Sequence, residues 1–377
     1  MKDIHQLPDY PAIKKLAAAL WIEDTDTHGA AIMIGAGFSR RTARHVDGCK
    51  KLPLWHDFAQ RLKEELGEES YDLAFSDPLR LAEEYRAYCG QAALNDLIRK
   101  EINDSAWLPG KLHQELLNLP WSEVLTTNWD TLLERAAQKI HYPIYTTVSK
   151  QSDLAYSRAP RITKLHGSIG ITEDFIVAQE DYRKYPQKSA AFVNFTRQVF
   201  IENELCLLGF SGDDPNFLHW AGWVRDNLGD HARRIYLVGA LNLSAAKRKH
   251  LESINIAPID LWETVEGFDD LELKHQAATE KFLKVLNKLR PPQPYNWQPT
   301  DLQKEQVKQS DHTRLYNDHE YAATILDKQI DKLRHDRETY PDWLVCPNAV
   351  RWPLRSQINT PHPNPNNIAC LASGRRE

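Results

Sequence analysis

The stretch Leu125 to Glu134, LTTNWDTLLE, sets a carboxamide, Asn128, and a carboxylate, Asp130, one residue apart between a β-branched run and a segment of helical periodicity. Side chains of this kind at a strand-to-helix junction cap helices, or they hold a small molecule. Three other loops carry chemistry-bearing residues in the same way. AAIMI runs into GAGFSRR, with Gly35, Ala36, Gly37, Ser39 and Arg40 or Arg41; RITKL runs into His166, Gly167 and Ser168; ELCLLGF runs into Ser211, Gly212, Asp213 and Asp214. Small residues after a strand let backbone N–H groups and a helix N-terminus approach a phosphate, with a hydroxyl and a guanidinium to complete the anion site. On this reading a bulky residue at Gly37 weakens phosphate binding more than folding. Plainer readings stand beside these. The glycines make a tight turn, since the full GxGxxG pattern is absent; Asn128 caps WDTLLERAA; His166 is a satisfied core histidine; Asp213 and Asp214 cap the helix that begins at Pro215.

Positioning these loops requires a sheet. The runs AAIMIG (30–35), SEVLTT (122–127), RITKLHG (161–167), ELCLLGF (204–210), RIYLVGA (234–240) and APIDLW (257–262) are apolar enough for strands covered on both faces. Between them lie amphipathic stretches, among them LWHDFAQRLKEEL, DPLRLAEEYRAY, LHQELLNL, SAAFVNFTRQVFIE and DPNFLHWAGWVRDNL. The alternation predicts an open, doubly wound, Rossmann-like α/β sheet with its strands parallel. In such a sheet every one of the four loops sits at the carboxyl end of its strand, where ligands bind. Four strands thus aim polar side chains at one crevice, a convergence that capping alone does not explain.

The chain has 377 residues, 42% of them apolar and 26% charged, enough for one large globular domain with an appendage. We expect a ligand-binding domain over residues 1–290, with the helical stretch at about 53–119 as an insertion beside the sheet. After it, RPPQPYNWQP starts a Pro-rich connector, DHEYAATILDKQIDKLRHDRE reads as a single polar helix, and the Pro- and Asn-rich tail has too little apolar surface to fold alone. The 291–377 extension is expected to serve oligomerisation or partner docking, with Ala322, Ile325, Leu326 and Ile330 as a self-association face. Whether it is a complete terminus or the start of a longer region stays open.

The net charge of −5 carries no nucleic-acid footprint, and no apolar run approaches the roughly 18 residues of a membrane span. With no apolar signal region at the N-terminus, the expectation is a cytoplasmic protein that binds neither nucleic acid nor membrane. The five cysteines, Cys49, Cys89, Cys206, Cys346 and Cys370, include no CxxC pair, so neither structural zinc nor a disulfide framework is expected.

In order and at comparable spacing, GAGFS, TTNWD, LHGS and LGFS resemble the sirtuin-type NAD-binding core over roughly residues 25 to 265. The resemblance implies NAD extended across a Rossmann-type sheet. Gly35, Ala36, Gly37 and Ser39 would meet its phosphates, with Arg40 beside them. Thr127, Asn128 and Asp130 would surround the nicotinamide and its ribose, His166 would be the catalytic histidine, and Gly209, Ser211 and Asp213 would lie toward the adenosine. Three departures stand out: the paired cysteines of sirtuin deacylases are missing, Thr126-Thr127-Asn128 stands where the family reads TQN, and RRTARHVDGCKKLPLW replaces its GIPDFR loop.

These departures resemble the divergent bacterial branch found in anti-phage defence. That branch hydrolyses NAD and works with a sensor, either a fused C-terminal domain or a separate activator such as an Argonaute-like protein, a hexameric ATPase or a phage protein. The resemblance therefore implies a homo-oligomeric NAD hydrolase that releases nicotinamide and ADP-ribose, with a cyclised product left open. Asn128 would orient the water or the carboxamide, Asp130 would hold the amide or stabilise positive charge, and His166 would accept a proton. Two other readings stay open: an NAD-dependent deacylase or ADP-ribosyltransferase, and a non-catalytic module that senses NAD or ADP-ribose.

Overall fold

The structure, a computed structural model, describes residues 2–22, 29–45, 51–67, 77–291 and 309–336. The strands, in chain order, are β1 (Ala30–Ile34), β2 (Arg44–His45), β3 (Trp107–Leu108), β4 (Val124–Thr126), β5 (Thr146–Val148), β6 (Arg161–Lys164), β7 (Glu204–Leu208), β8 (Ile235–Gly239) and β9 (Ile256–Asp260). Seven of them form one sheet in the order β5-β6-β4-β1-β7-β8-β9. Every pairing in it is parallel. The remaining two, β2 and β3, form an antiparallel ribbon.

Helices connect the strands: α1 (Tyr10–Leu20), α2 (Ala36–Thr42), α3 (Trp55–Leu66), α4 (Pro78–Cys89), α5 (Gln91–Ile102), α6 (Lys111–Leu117), α7 (Leu132–Ala137), α8 (Gln179–Lys188), α9 (Ala190–Glu202), α10 (Pro215–Leu228), α11 (Ala245–Ser253), α12 (Leu271–Lys288), α13 (Gln309–Asn317) and α14 (His319–Asp336). Strand side chains alternate between faces, and the two cores divide accordingly. Ala30, Ile32 and Ile34 of β1 pack with apolar residues of α1, α6 and α12. Ala31 and Met33 pack on the other face with Tyr185 of α8, Phe192 and Phe200 of α9, and Phe217 and Trp220 of α10. Complete burial of β1 on both faces explains why its sequence is a continuous apolar run.

A third apolar cluster belongs to α3, α4 and α5, where Phe58, Leu62, Leu81, Tyr85, Leu94 and Ile98 pack together. Outside this cluster Arg61 gathers Glu64, Glu65 and Glu101 into one surface ion network. Leu112, Leu116 and Leu117 of α6 instead join the main core beneath the sheet.

The chain divides after Leu289, and the second unit contributes α13 and α14. The stretch read as one polar helix, from Asp318 on, is the single helix α14, and the Asp318 carboxylate just before it accepts the Tyr321 amide at 3.0 Å; α13 precedes it. Ala322, Ile325 and Leu326 are half-buried on α14. The side chain of Ile330, the Pro-rich connector, the tail, and Cys49, Cys346 and Cys370 lie outside the described residues. Among those described, Cys89 is exposed and Cys206 buried, and no helix is long and apolar enough to cross a membrane.

Candidate functional site

Register brings the four loops to one level. Ile34 pairs with Thr126 on one side and Leu208 on the other, and Thr126 pairs with Lys164. Gly35, Thr127, Leu165 and Gly209 therefore leave the sheet together. From β1 the chain goes to β4 on one flank and later returns to β7 on the other, so the crevice opens beside β1, where the strand order reverses. A cleft of about 1130 Å³ lies there. Gly35, Ala36, Gly37, Ser39, Thr127, Asn128, Asp130, His166, Gly209, Ser211 and Asp213 all line it. Of the expected site residues, Arg40 alone does not.

The glycines answer first to the protein's own backbone. A Cβ on Gly35 would stand 2.5 Å from the Gly209 carbonyl oxygen, and one on Gly37 would stand 2.9 Å from the same atom. Gly209 has φ of +62°, and a Cβ there would meet the Phe38 nitrogen at 2.2 Å. The Gly35 and Gly37 amides donate to Leu208 and Gly209 carbonyls at 3.1 and 3.0 Å. These residues let the loops after β1 and β7 touch, so a valine at 37 disturbs the fold before it meets a phosphate. This reverses the expectation drawn from the sequence.

The two arginines divide their roles by helix geometry. Arg41 lies four residues after Gly37, on the face of α2 that borders the cleft, and its Nη1 donates to the Gly37 carbonyl at 3.3 Å. Glu272 of α12 sits 3.4 Å from its Nε. Arg40 points elsewhere: it pairs with Asp57 of α3, with Glu272 at 3.1 Å, and with the Leu52 carbonyl at 3.0 Å. It joins α2 to α3 and α12, and Arg41 is the guanidinium at the cleft.

On the β4 side, Asn128 does not cap the following helix. That role falls to Asp130, whose carboxylate accepts the Leu132 amide at 3.1 Å, and to Asp104, which accepts the Thr131 amide at 2.8 Å. Asn128 instead donates through Nδ2 to the Ser39 hydroxyl at 3.1 Å, and its own amide donates to the Thr126 hydroxyl, also at 3.1 Å. Ser39 in turn bonds the Asp130 carboxylate. The result is a fixed chain, Asn128 to Ser39 to Asp130, joining the loops after β4 and β1. Beneath it Lys164 is buried, donates to the Asp130 carbonyl and lies 3.2 Å from the Glu134 carboxylate. Burial raises the pKa of both Asp130 and Glu134, against the opposing charge of Lys164. The buried indole N–H of Trp129, which also lines the cleft, has no acceptor among the described residues.

On the β6 side, His166 is 2% exposed. Its Nε2 lies 3.1 Å from Asn216 Nδ2, and the rings of Tyr182 and Tyr185 meet it edge-on at 5.3 and 5.8 Å. Burial lowers its pKa while Asp214 and Asp181 pull the other way, so the imidazole is neutral at pH 7. Asp214 is the N-cap of α10, accepting the Phe217 amide at 3.0 Å with one oxygen and the Tyr182 hydroxyl at 3.1 Å with the other. Burial first, and then Asp214, raise the Tyr182 pKa, so the phenol stays a donor. Asp213 and Ser211 are exposed at the rim.

Sequence reasoning passes over Asn216. Its signal is a polar side chain at the head of the buried stripe Asn216, Trp220, Val224, spaced i, i+4, i+8 along α10. Among the described residues no three His, Cys, Asp or Glu side chains are grouped to hold a metal ion.

Residues 122–259 match the family model of the SIR2-like domain. Over 222 residues the chain is 27% identical to NAD(+) hydrolase ThsA of Acinetobacter baumannii, a match covering 58% of this chain and 43% of that one. The corresponding protein of Bacillus cereus is 26% identical, over 55% of this chain and 42% of its own. Defense-associated sirtuin 2 of Bacillus subtilis is 23% identical, over 54% and 20%. The matched part spans under half the length of each of these relatives. A solved SIR2 homolog–NAD complex aligns with a TM-score of 0.44 at 14% identity, covering 76% of this chain and 96% of that one.

Proposed function

We propose that this chain, sirtuin-like through its SIR2-like domain, hydrolyses NAD at the nicotinamide–ribose bond, consuming one water and releasing nicotinamide, ADP-ribose and a proton. The observation that carries the reading is the pairing of a fixed carboxamide with a neutral, buried imidazole. Asn128 and His166 each stand two residues beyond the registered pair Thr126 and Lys164, on adjacent parallel strands, lining one cleft. The names of the A. baumannii and B. cereus relatives support it.

The chemistry follows from these groups. Breaking the bond develops an oxocarbenium-like cation at C1′, and nicotinamide leaves neutral, so no strong general acid is needed. Useful groups are negative charge near C1′, an oriented water and a proton acceptor. Asp130 and Glu134 outnumber Lys164 on the β4 side, which favours the developing cation. Asn128, held through Ser39, orients the water or the carboxamide, and neutral His166 takes the proton from the water or a ribose hydroxyl. The unpartnered Trp129 N–H offers a donor to a ligand oxygen. Arg41, with Ser211 at the rim, serves the phosphates in place of Arg40.

In this reading the chain is an NAD-depleting effector of anti-phage defence, a role supported by the name of the B. subtilis relative. It acts in the cytoplasm, uses no zinc, assembles through residues 291–377, and is released by a sensor or activator protein. The test is to incubate the purified chain with NAD, with and without an acylated peptide, and to quantify nicotinamide and ADP-ribose. Equimolar release that ignores the peptide supports hydrolysis. Release that requires the peptide means deacylation, and NAD bound tightly but left intact even with the activator present means a sensing module.

A further inference from the structure

We propose that Asn216 is a positioning residue for His166, holding the imidazole through Nε2 so that Nδ1 is the nitrogen that exchanges protons with the cleft. The inference rests on the hydrolase reading for its consequence in turnover, and on geometry alone for its effect on the ring.

Asn216 is 5% exposed, the second residue of α10, and its side-chain amide is 3.1 Å from Nε2. Helix capping does not require it, because Asp214 caps α10. Nor does it continue the apolar stripe of that helix, where Trp220 and Val224 follow it. A buried amide in such a place is there for its hydrogen bond. A carboxamide suits an imidazole that must change state. It donates through Nδ2 while Nε2 is unprotonated, and after rotating by half a turn it accepts through Oδ1 when Nε2 carries a proton. With Nε2–H held by Oδ1, Nδ1 is free to act as the base. When Nδ1 takes a proton, the imidazolium keeps the same partner and no buried polar atom is orphaned. The other groups facing the ring are Tyr182, Tyr185 and Asp181 from α8, and Asp214 from α10. The two phenols present ring edges, and each hydroxyl is already spent, on Asp214 and on the Leu165 carbonyl. None of them can replace the amide at Nε2.

The experiment compares the parent chain with Asn216→Leu, Asn216→Asp and Asn216→Ser. Nitrogen-15 NMR of the labelled histidines reads the His166 tautomer and titration. Nicotinamide release from NAD against pH reads turnover. The proposal expects Asn216→Leu to change the tautomer and lower kcat on the order of 10-fold or more, with KM for NAD within about 3-fold. Asn216→Asp should raise the imidazole pKa by about one unit or more and move the acid limb of kcat with it, and Asn216→Ser should restore part of the loss. Superimposable imidazole titrations and tautomers in all four folded proteins would overturn it. So would losses of kcat that follow melting temperature and leave the pH profile unmoved. If imidazole signals respond as expected while the parent releases no nicotinamide, the hydrolase reading falls and the positioning role stands.

Discussion

On the β4 side of the cleft, Asn128 is anchored by hydrogen bonds to groups that end in charge: Ser39, Asp130, and beneath them Lys164 with Glu134. On the β6 side, His166 is anchored by neutral groups, an amide and two phenol rings, and its nearest charges, Asp214 and Asp181, act at a remove. The first wall holds fixed charge that a developing cation can use without reorganisation. The second holds a group that burial among neutral neighbours keeps uncharged at rest, and so ready to accept a proton. The contrast teaches that similar burial acts oppositely on the two groups: it raises the pKa of Asp130, against the charge of Lys164, and lowers that of His166, against Asp214 and Asp181, so the imidazole rests unprotonated.

Removing the cation from the charged wall should have the largest effect. Lys164→Met leaves two buried carboxylates without their partner and should destabilise the fold by about 3–5 kcal/mol at pH 7. The loss should shrink toward pH 5 as the carboxyl groups protonate, and urea unfolding at both pH values measures it. The matching change on the neutral wall, Tyr182→Phe, removes one bond to a carboxylate and should cost about 1.5 kcal/mol in the same assay. Equal losses would erase the distinction between the walls.

The walls should also titrate with opposite sign. The folded-state pKa of His166 is lowered by burial, as are those of His113, to about 3, and His275, to about 4. The unfolded chain takes up these protons first, so this part of the stability is complete above about pH 6.5 and is lost as pH falls. Asp130 and Glu134, with raised values, contribute the reverse, a cost that grows as pH rises through their folded pKa. Stability followed from pH 7 to 5 should therefore fall less steeply in His166→Ala, by up to about 1.4 kcal/mol per pH unit. A slope unchanged by that substitution would mean that folding does not lower the His166 pKa.

The smallest effects separate the two arginines. Arg41→Gln should raise KM for NAD several-fold with little change in melting temperature, whereas Arg40→Gln should cost about 1 kcal/mol of stability and leave KM alone. The reverse pattern would return Arg40 to the cleft.

The sheet was readable because burial on both faces leaves continuous apolar runs. Six of its seven strands appear in the sequence that way. The seventh, β5, escapes because an edge strand of three residues, Thr146, Thr147 and Val148, needs no apolar run. Convergence of the four loops was readable too, since it follows from strand ends. What single loops could not reveal was the partner each side chain chooses across the crevice. Asn128 looked like a cap until Asp130 and Asp104 were seen to take that work. Arg40 and Arg41 differ by a turn of 100° on α2, which composition does not register. Asn216 comes from a helix 50 residues beyond His166, so its role depends on a contact that only the fold creates.

The central claim is that both walls act on one reaction, and NAD turnover by Asn128→Ala and His166→Ala, measured beside NAD affinity and melting temperature, tests it most directly. The account predicts that each substitution slows nicotinamide release on the order of 100-fold or more while affinity and melting temperature stay near those of the parent. Turnover retained in either variant, or lost only in step with the melting temperature, would contradict it.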